Sequence, residues 1–274
     1  ENILQLLDRC ELSLEDLCKA KDFVISKGSN AMCTPFSTDS FKELIQNGFD
    51  QIKISSMDLN NYHLHDEIVN CEKKLDLFIS SGMSSISELK IIYEIYKDSI
   101  HNICLLLCTS SYPAPNNDIS LSNIFLYRSL FPKFKIGYSD HSVGSAAAIA
   151  AATLGAEYIE IHFSDDIRKS GPDQILSKTE QELKELNSKF NKIKELTKFK
   201  PKDLRLSEYS TWRTQKKGLY AKFKIKKGEL ITTENTVAES PPTSISPLIL
   251  NNKDVRAIKD IFPAEEIKKE NISI

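Results

Sequence analysis

The sequence predicts an α/β fold of the TIM-type (β/α) barrel kind, followed by a smaller β-rich region. From the start of the chain to about Lys194, short apolar runs rich in β-branched residues alternate with amphipathic helical segments. Single helices between successive strands indicate βα units and a parallel sheet. Six such units are visible, and a closed barrel of this type has eight. We therefore expect the first two barrel strands to be missing from this chain.

Each element is predicted from its own stretch of sequence. The predicted strands are Ala31–Cys33, Gln51–Ser55, Leu75–Ser80, Ile103–Cys108, Lys135–Tyr138 and Tyr158–His162. The predicted helices are Leu14–Ser26, Asp39–Asn47, Ser85–Tyr96, Ser122–Phe131, Gly144–Leu154 and Lys178–Leu196. In the last helix, Leu183, Leu186 and Phe190 recur at helical spacing, which predicts an apolar stripe that packs on the sheet.

The texture of the sequence changes at Lys198-Phe-Lys-Pro-Lys202, where basic residues and a proline indicate a linker. We divide the chain into a barrel domain at 1–197, a linker at 198–204 and a small β-rich domain at 205–274. Within that domain, Ile225–Asn235 resembles Ile261–Asn271 at an offset of 36 residues. The repeat predicts internal pseudo-symmetry.

Composition excludes several classes of protein. The chain has 274 residues, 41% of them hydrophobic, 27% charged, and a net charge of −2, so it has no excess positive field for nucleic acid or an anionic membrane. No apolar run approaches the ~20 residues that span a bilayer. The six cysteines are scattered and form no CxxC, which indicates buried free thiols in a reducing cytoplasm. The opening Glu1-Asn-Ile-Leu4 has no Met and no secretory signal, and we expect a preceding segment.

Polar side chains follow almost every predicted strand at its carboxyl end, where a (β/α) barrel gathers its catalytic groups. A barrel with only a structural role would not need hydroxyls, charges and histidines at so many strand ends. In chain order these residues are Thr34, Lys53, Ser56, Asp58, Ser80, Ser110, Tyr112, Ser139, Asp140, His141, Glu160 and His162.

The five histidines fall into two groups. His63, His65 and His101 lie in polar connections, and we expect them to be solvated. His141 and His162 end consecutive predicted strands, so their imidazoles can converge at one point of a barrel. Neutral imidazoles bind divalent transition metals well, which makes this pair a candidate metal site. The alternative is a pair of histidines at the edge of the core whose nitrogens are satisfied by backbone carbonyls.

Lys53 lies inside the apolar run Ile52-Lys-Ile54. A lysine at a strand end can pair with a buried anion such as phosphate or carboxylate, although an exposed edge lysine gives the same pattern. Serines at neighbouring strand ends would surround such an anion with hydroxyl donors. The sequence contains neither a GxGxxG motif nor a P-loop, so it gives no support for nucleotide binding.

Eight ordered blocks are specific enough to compare with a known family. They are Cys33-Thr-Pro-Phe36, Ile79-Ser-Ser-Gly-Met83, Cys108-Thr-Ser-Ser-Tyr-Pro-Ala-Pro115, Ile136-Gly-Tyr-Ser-Asp-His141, Ala156-Glu-Tyr-Ile-Glu-Ile-His-Phe163, Gly171-Pro172-Asp173, Ala221-Lys-Phe-Lys-Ile-Lys-Lys-Gly-Glu229 and Ile245-Ser-Pro247. The first six resemble the sialic acid synthase (N-acetylneuraminate synthase) family. The last two resemble its C-terminal antifreeze-like (SAF) domain, a β-clip fold.

The resemblance implies a reaction and a set of ligands. The family condenses phosphoenolpyruvate with N-acetylmannosamine or a related sugar, which implies a transferase that makes a sialic-acid-like nonulosonic acid and releases phosphate. His141 and His162 match the family's two metal-binding histidines, which hold Mn²⁺, with Mg²⁺ as an alternative. The positions that line the phosphoenolpyruvate site are matched by Thr34, Lys53, Ser56, Ser80, Ser110 and Ser139. The catalytic and sugar-side positions are matched by Asp58, Tyr112 and Asp173.

The chain also departs from the family pattern. The family's first two strands supply an acidic residue and a lysine, and this chain begins after them. Ser240 stands where the family has the arginine of an Arg-Pro-Gly loop that reaches into the partner subunit. Ser110 replaces a common Asn, Asp58 a common Glu, Met57 a small residue beside the substrate and Ile161 a common Lys. These departures bear on recognition of the sugar and on activity.

Two functions from different classes follow. The first is a cytoplasmic synthase that acts as a domain-swapped homodimer on phosphoenolpyruvate and an acetylated amino sugar, without nucleic acid or membrane partners. Retention of Lys53, His141, His162 and Asp173 favours it. The alternative is a degenerate, non-catalytic relative that binds a sugar or a protein partner, which Ser240 and the missing strands favour.

Overall fold

The computed structural model describes residues 9–168, 171 and 173–273 of the chain. The opening residues Glu1–Leu4 and Pro172 of the Gly171-Pro172-Asp173 block therefore lie outside the described residues. The chain divides into two compact units, Glu1–Lys198 and Phe199–Ile274.

Strands and helices alternate through the first unit. The strands are β1 Met32–Cys33, β2 Gln51–Ile54, β3 Asp76–Ser80, β4 Asn102–Cys108, β5 Lys135–Asp140 and β6 Ile159–Ile161. The helices are α1 Leu14–Ser26, α2 Thr38–Gln46, α3 Tyr62–Val69, α4 Ile86–Tyr96, α5 Asn123–Leu130, α6 Ala146–Thr153 and α7 Glu180–Leu196. The predicted strands and helices agree with these bounds within two residues at each end. Helix α3 is an addition that the sequence pattern does not predict.

Local sequence explains where several helices begin. Ser37, Ser85 and Thr179 each accept the backbone N–H of the third helical residue, whose side chain bonds back to the cap. Such a capping box satisfies donors that the first turn leaves free. Asn61 caps helix α3, and its side chain accepts the Leu64 N–H at 3.3 Å. Helix α3 is as long as α5 and α6, but the sequence pattern does not reveal it.

The six strands form one parallel sheet in which each strand pairs with the next along the chain. An ion pair shows that the sheet is curled. Lys53 on β2 and Glu160 on β6 are four strands apart, about 19 Å across a flat sheet at ~4.8 Å per strand. Yet Lys53 Nζ lies 3.2 Å from Glu160 Oε1. The two side chains reach each other because the sheet bends into a half-barrel.

The two faces of the sheet differ in chemistry. On the convex face, side chains such as Ile52 and Ile54 are fully buried in the main core, against the helices. Lys53, which lies between them in the sequence, points to the concave face. That face is crowded near its base, where a Cβ on Gly137 would collide with the Leu106 side chain. The concave face therefore closes below and leaves open space only toward the carboxyl ends of the strands.

The expectation that His65 is solvated is wrong. His65 lies in α3 and is only 1% exposed. One ring nitrogen is 2.8 Å from the hydroxyl of Tyr96, and the other is 2.8 Å from the carbonyl oxygen of Leu59. Burial lowers the pKa of His65, and the contact with the Leu59 carbonyl opposes that shift only in part. His65 is therefore a neutral core residue with both nitrogens satisfied.

The same expectation is wrong for His101, which is also buried. Its Nδ1 accepts the Leu75 N–H at 3.3 Å, and its Nε2 donates to the Ile68 carbonyl at 2.9 Å. His63 is exposed, as expected. Polar neighbours in the sequence conceal the burial of His65 and His101, because a ring can reach the core when backbone groups satisfy its nitrogens.

The second unit contains short elements. They are helix α8 Tyr209–Gln215 and strands β7 Gly218–Ala221, β8 Thr236–Glu239, β9 Arg256–Ala257 and β10 Ile272–Ser273, with 3₁₀ turns at Leu206–Glu208, Pro247–Asn251 and Lys269–Asn271. β7 pairs with β8 and β9 with β10, both antiparallel. The sequence predicts strands and turns in this region, and α8 is an exception to that pattern.

The repeat at an offset of 36 residues is a structural pseudo-symmetry. Ile225 and Ile261 bond to each other, and each N–H donates to the other's carbonyl at 2.9 Å. Three further sets of matched N–H to carbonyl bonds are Ile231–Val255 with Ile267–Leu219, Lys222–Asn235 with Ile258–Asn271, and Gly228–Ala257 with Ala264–Ala221. In each set, the residue numbers of the second bond are those of the first with 36 added or subtracted, so the two bonds occupy equivalent places in the two copies of the repeat.

The equivalent turn positions Gly228 and Ala264 both have positive φ, +86° and +64°. Glycine adopts this left-handed conformation freely, whereas alanine pays about 1 kcal/mol for it. The symmetry therefore extends to the backbone conformation of the turns, although only one copy carries the residue suited to it.

All six cysteines are free, as predicted, but only Cys104 and Cys108 are buried and Cys10 is exposed. Among the helices in the described ranges, none combines the length and apolar character needed to cross a bilayer.

Candidate active site

A cavity of about 490 Å³ opens at the carboxyl ends of the strands. Nine of the eleven residues proposed from the sequence line it: Thr34, Lys53, Ser56, Ser80, Ser110, Tyr112, Ser139, His141 and His162. The lining is completed by Phe36, Ser55, Met57, Met83, Cys108 and Glu160. The parallel topology brings these residues together, because every strand delivers the residues that follow it to the same end of the sheet.

Lys53 and Glu160 form the charged centre of the cavity. Glu160 Oε1 lies 3.2 Å from Lys53 Nζ and accepts the Ser139 hydroxyl at 2.7 Å. The Lys53 side chain is only 12% exposed, so it is a largely buried cation with one carboxylate partner. Since an ammonium has three N–H donors, Lys53 retains donors for a bound anion. The sequence places Glu160 at a strand end but gives it no role; its alternation with Ile159 and Ile161 is the signal that it points inward.

Hydroxyl groups surround the same region. Ser80 Oγ is buried and has no hydrogen-bond partner in the described part of the chain. Ser56 Oγ accepts the Gly82 N–H at 3.1 Å, and the Ser56 and Ser110 hydroxyls each lie 3.7 Å from Cys108 Sγ. A Cβ on Gly82 would collide with both hydroxyls. An unpaired buried hydroxyl costs free energy unless a ligand satisfies it, so Ser80 indicates a ligand with polar atoms.

His141 is held by the backbone in one orientation. Its Nδ1 lies 2.9 Å from the Thr109 carbonyl oxygen, so Nδ1 carries the proton and Nε2 keeps its lone pair. Burial by itself would lower the pKa of His141, but the nearby Cys108 thiol and the Thr109 carbonyl raise it above its ordinary value. The Tyr112 ring packs against the imidazole with centroids 4.2 Å apart. This is the arrangement in which a histidine presents Nε2 to a metal ion.

His162 faces His141, with ring centroids 5.2 Å apart. Its Nδ1 is 3.4 Å from Asp173 Oδ2. Burial lowers the pKa of His162 below its ordinary value, although Asp173 opposes that shift. Asp173 does not line the cavity, but its contact with His162 places it at the edge of the cavity.

Asp58, like Asp173, is a predicted site residue that does not line the cavity. It is buried, and its carboxylate accepts the Ser55 hydroxyl at 2.8 Å and the Asn61 side-chain amide at 3.2 Å. These bonds fix the 3₁₀ turn Ser56–Asp58, which carries Ser56 into the cavity. A carboxylate with this spacing from Lys53 resembles a catalytic acid in sequence, but here it supports the backbone that presents Ser56.

Three apolar side chains follow β1, β2 and β3 and form what we call the apolar lip: Phe36, Met57 and Met83. They are 64%, 66% and 72% exposed, respectively. Met83 has a positive φ of +61°, a conformation that costs a non-glycine residue about 1 kcal/mol. The cavity therefore combines a polar lining with an exposed apolar group of side chains above β1–β3.

The residues present fit a divalent cation only in part. The described residues contain no group of three or more His, Cys, Asp or Glu side chains arranged to hold a metal ion. His141 and His162 offer two imidazoles on one side of the cavity, and neutral imidazole is the commonest protein ligand of metal ions. The remaining ligands would be oxygen atoms of substrate or water, as in open catalytic sites.

Comparisons with known proteins place the chain near one family. Residues 1–202 match the model of the NeuB family. Over 252 residues the chain is 34% identical to N,N'-diacetyllegionaminic acid synthase of Campylobacter jejuni, covering 90% of this chain and 74% of that protein. Over 196 residues it is 34% identical to N-acetylneuraminate-9-phosphate synthase of Homo sapiens, covering 71% of this chain and 54% of that protein.

Solved structures share the fold. N-acetylneuraminic acid synthetase from Leptospira borgpetersenii superposes with a TM-score of 0.70 at 30% identity, covering 76% of this chain and 72% of that chain. A spore coat polysaccharide biosynthesis protein E from Chromobacterium violaceum superposes with a TM-score of 0.80 over 100% of this chain and 82% of its own. The second likeness has 18% identity and shows the fold alone.

Proposed function

The chain belongs to the NeuB family, and we propose that it catalyses condensation of phosphoenolpyruvate with an N-acetylated mannosamine-type sugar. The products are a sialic-acid-like nonulosonic acid and phosphate. The observation that carries the proposal is the cavity itself, in which one lysine and a set of hydroxyls face two histidines. An anionic substrate and a carbonyl substrate can therefore lie side by side.

Phosphoenolpyruvate would bind at Lys53 and the serine hydroxyls. Lys53 is the cation, Glu160 holds its ammonium in place, and Ser80 supplies a buried hydroxyl that has no partner within the described residues. Thr34, Ser56, Ser110 and Ser139 complete the polar surface. Charge-assisted hydrogen bonds to such an anion are about twice as strong as neutral ones.

His141 and His162 would hold a divalent cation, Mn²⁺ with Mg²⁺ as the alternative. When bound, this ion supplies Lewis-acid polarisation of the aldehyde oxygen of the open-chain sugar. Tyr112 packs on both imidazoles, and Asp173 contacts His162, so both residues would lie on the sugar side.

The bonds made and broken follow from the two substrates. C3 of the enol attacks the aldehyde carbon and forms the new C–C bond. Water then adds at C2, and phosphate leaves with cleavage of the C–O bond. Lys53 and the serines orient the enol. Asp58 acts indirectly, because it fixes the turn that carries Ser56.

We also propose that the second unit is an antifreeze-like domain and that the protein is a cytoplasmic, domain-swapped homodimer. The pseudo-symmetric β structure and the six free cysteines support this proposal. Sizing of the purified protein should give twice the monomer mass. Ser240, whose hydroxyl donates to the Gln215 carbonyl, cannot make the bidentate contact of an arginine. If position 240 faces the sugar, Ser240→Arg should tighten sugar binding about 10- to 100-fold.

The proposal is tested by phosphate release from phosphoenolpyruvate in the presence of acetylated amino sugars, with the full-length protein and Mn²⁺. The matched variant is Lys53→Met, which keeps the length of the side chain and removes its charge. Release by the parent protein and loss by the variant support the proposal. Binding of a sugar without phosphate release for any sugar would favour the non-catalytic alternative.

A further inference from the structure

A buried carboxylate lies directly before His141 in the sequence, and the proposed reaction does not use it. Asp140 is the last residue of β5 and is only 3% exposed. Side chains of a strand alternate between its two faces, and Ser139 and His141 line the cavity whereas Asp140 does not. Asp140 therefore lies behind the sheet, between two residues of the cavity, and can act on the cavity only through its neighbours.

The hydrogen bonds of Asp140 enclose His141. Oδ1 of Asp140 accepts the Ser142 N–H at 2.9 Å, the Ser142 hydroxyl at 2.7 Å and the Tyr138 hydroxyl at 3.2 Å. The bond to the Ser142 N–H closes a side-chain turn of the Asx type, whose middle residue is His141. Such a turn restricts the backbone dihedrals of its middle residue. It therefore fixes the direction in which the His141 side chain leaves the backbone.

The Asp140 carboxylate is costly to keep in this place. The three donors to Oδ1 are neutral groups, and Oδ2 is buried with no hydrogen-bond partner in the described part of the chain. A buried carboxylate with an unsatisfied oxygen lowers stability relative to a neutral side chain, so packing gives no reason for an Asp here. Its charge makes each bond to Oδ1 about twice as strong as a neutral one, which makes the turn more rigid.

Two further bonds hold His141 against the segment that follows β4. Its carbonyl accepts the Ala114 N–H at 2.8 Å, and its Nδ1 donates to the Thr109 carbonyl at 2.9 Å. The same segment carries Tyr112, whose ring packs against His141 and His162 with centroids 4.2 and 5.8 Å apart. A change in the backbone at His141 would therefore move all three rings of this cavity wall together.

We propose that Asp140 is a positioning residue, which fixes the turn that directs His141, and with it Tyr112, into the cavity. This inference rests on the proposed function, because that function places the aldehyde of the sugar at this wall. Lys53 and Ser80, proposed for phosphoenolpyruvate, lie on other strands, β2 and β3. Loss of the Asp140 carboxylate should therefore reduce turnover much more than it changes the KM for phosphoenolpyruvate.

The first test observes the His141 ring in full-length, metal-free protein without substrate. At alkaline pH, where the imidazole is neutral, NMR of isotope-labelled histidine reports which ring nitrogen carries the proton. The signals that disappear in His141→Ala assign the ring. The parent protein should have this proton on Nδ1, as the bond to the Thr109 carbonyl requires.

Two substitutions of Asp140 then give opposite expectations for that ring. Asp140→Ala should give a mixture of the two tautomers, because the turn that orients the ring is lost. Asp140→Asn should keep the single tautomer, because an amide oxygen can accept the same three bonds. An unchanged His141 spectrum in Asp140→Ala overturns the proposal.

Ser81→Ala is the control for a loss of stability without a loss of position. Ser81 makes two buried hydrogen bonds but lies outside the cavity lining, so its substitution should leave the His141 ring unchanged. If Asp140→Ala does not fold, Ser142→Ala takes its place, because it removes one of the three bonds to the carboxylate. It should change the His141 spectrum in the same direction by a smaller amount, and no change would overturn the proposal.

The second test measures phosphate release with an acetylated amino sugar and Mn²⁺. Asp140→Ala should lower kcat by about 10- to 100-fold, which is typical when a residue that orients a ligating histidine is lost, and should leave the KM for phosphoenolpyruvate within about twofold. Asp140→Asn should recover most of the lost kcat, and Ser81→Ala should retain the kcat of the parent protein.

The outcomes separate this inference from the proposed function. Absence of phosphate release by the parent protein defeats the proposed function, while the His141 spectra still decide whether Asp140 orients the ring. Equal losses of kcat in Asp140→Ala and Ser81→Ala would show that Asp140 has only a structural role, and the proposal would be wrong. If Asp140→Asn loses as much kcat as Asp140→Ala, the charge of the carboxylate matters and the turn does not, which also overturns the proposal.

Discussion

Two regions of the first unit use histidine in opposite ways. Between the sheet and the helices, His65 and His101 have both ring nitrogens bonded to protein groups. At the open end of the sheet, His141 bonds to the backbone through Nδ1 and leaves Nε2 facing the cavity. The difference teaches that hydrogen-bond saturation, more than burial, separates a structural histidine from one available to a ligand.

Two adjacent serines show the same contrast. Ser81 Oγ donates to the Leu106 carbonyl at 3.0 Å and accepts the Tyr127 hydroxyl at 3.1 Å. Ser80 Oγ, one residue earlier and on the opposite face of β3, has no partner among the described residues. Because strand side chains alternate between faces, neighbouring residues of one type serve different regions.

The largest expected effect is on metal binding. His141→Ala or His162→Ala should remove most of the bound Mn²⁺ from dialysed protein, a loss of affinity of about 100-fold or more, because each removes one of the two proposed protein ligands. His63→Ala at the surface is the control and should change nothing. Metal content is measured by elemental analysis. Undiminished Mn²⁺ in both cavity variants would show that His141 and His162 do not bind the metal, and that they do not differ from His65 and His101 in this respect.

The next effect is on stability. His65→Ala should lower the free energy of unfolding by about 3 kcal/mol, because it leaves a cavity and removes partners from the buried Tyr96 hydroxyl and Leu59 carbonyl. His141→Ala should cost less, about 1–2 kcal/mol, because it breaks only the Nδ1 bond to the Thr109 carbonyl and the side chain borders an existing cavity. Urea unfolding monitored by circular dichroism measures both. Equal losses would show that the cavity histidines are structural too.

A smaller effect separates the two serines. Ser81→Ala should destabilise the protein by about 1–2 kcal/mol, because it breaks two buried hydrogen bonds. Ser80→Ala removes an unpaired hydroxyl, so stability should stay the same or rise slightly, while the KM for phosphoenolpyruvate should increase about fivefold. Thermal unfolding measures the change in stability, and the phosphate-release assay measures the KM for phosphoenolpyruvate. Loss of stability in Ser80→Ala would contradict the assignment of that hydroxyl to a ligand.

The smallest effect is on the pH dependence of stability. Burial depresses the pKa of His65 and of His101 in the folded protein. Below pH ~6.5 the unfolded chain therefore binds more protons, and stability falls as the pH falls. His65→Gln should flatten this decline between pH 7.5 and 5.5, and His63→Gln should not. The urea midpoint at each pH is the measurement, and a decline of equal slope in both variants would exclude His65 as its source.

The sequence predicts the alternation of strands and helices and most of the cavity residues, because a barrel topology converts strand-end positions into neighbours. It does not predict the pairing of Lys53 with Glu160, since that contact joins β2 to β6 and depends on the curl of the sheet. It does not predict that the Asp58 carboxylate turns toward Ser55 and Asn61. The first case depends on a partner distant in sequence, and the second on local hydrogen bonds to residues three positions away, whose geometry the residue types alone do not reveal.

The turn residues show another limit. Gly228 suggests a left-handed turn from its identity alone, whereas Met83 and Ala264 adopt the same conformation with residue types that do not favour it. For Ala264 the internal repeat would have provided the signal, because position 264 is equivalent to position 228. Met83 has no such equivalent, and only the three-dimensional structure shows its strain.

The crossed hydrogen bonds of the second unit make each copy of the repeat depend on the other. Ile231 bonds to Val255 and Ile267 to Leu219, so each copy of the repeat satisfies backbone groups of the other. One copy alone would leave those groups unpaired, and it could satisfy them only by associating with an identical copy about a two-fold axis. The unit thus has the construction of a small intertwined homodimer whose two halves are joined in one chain.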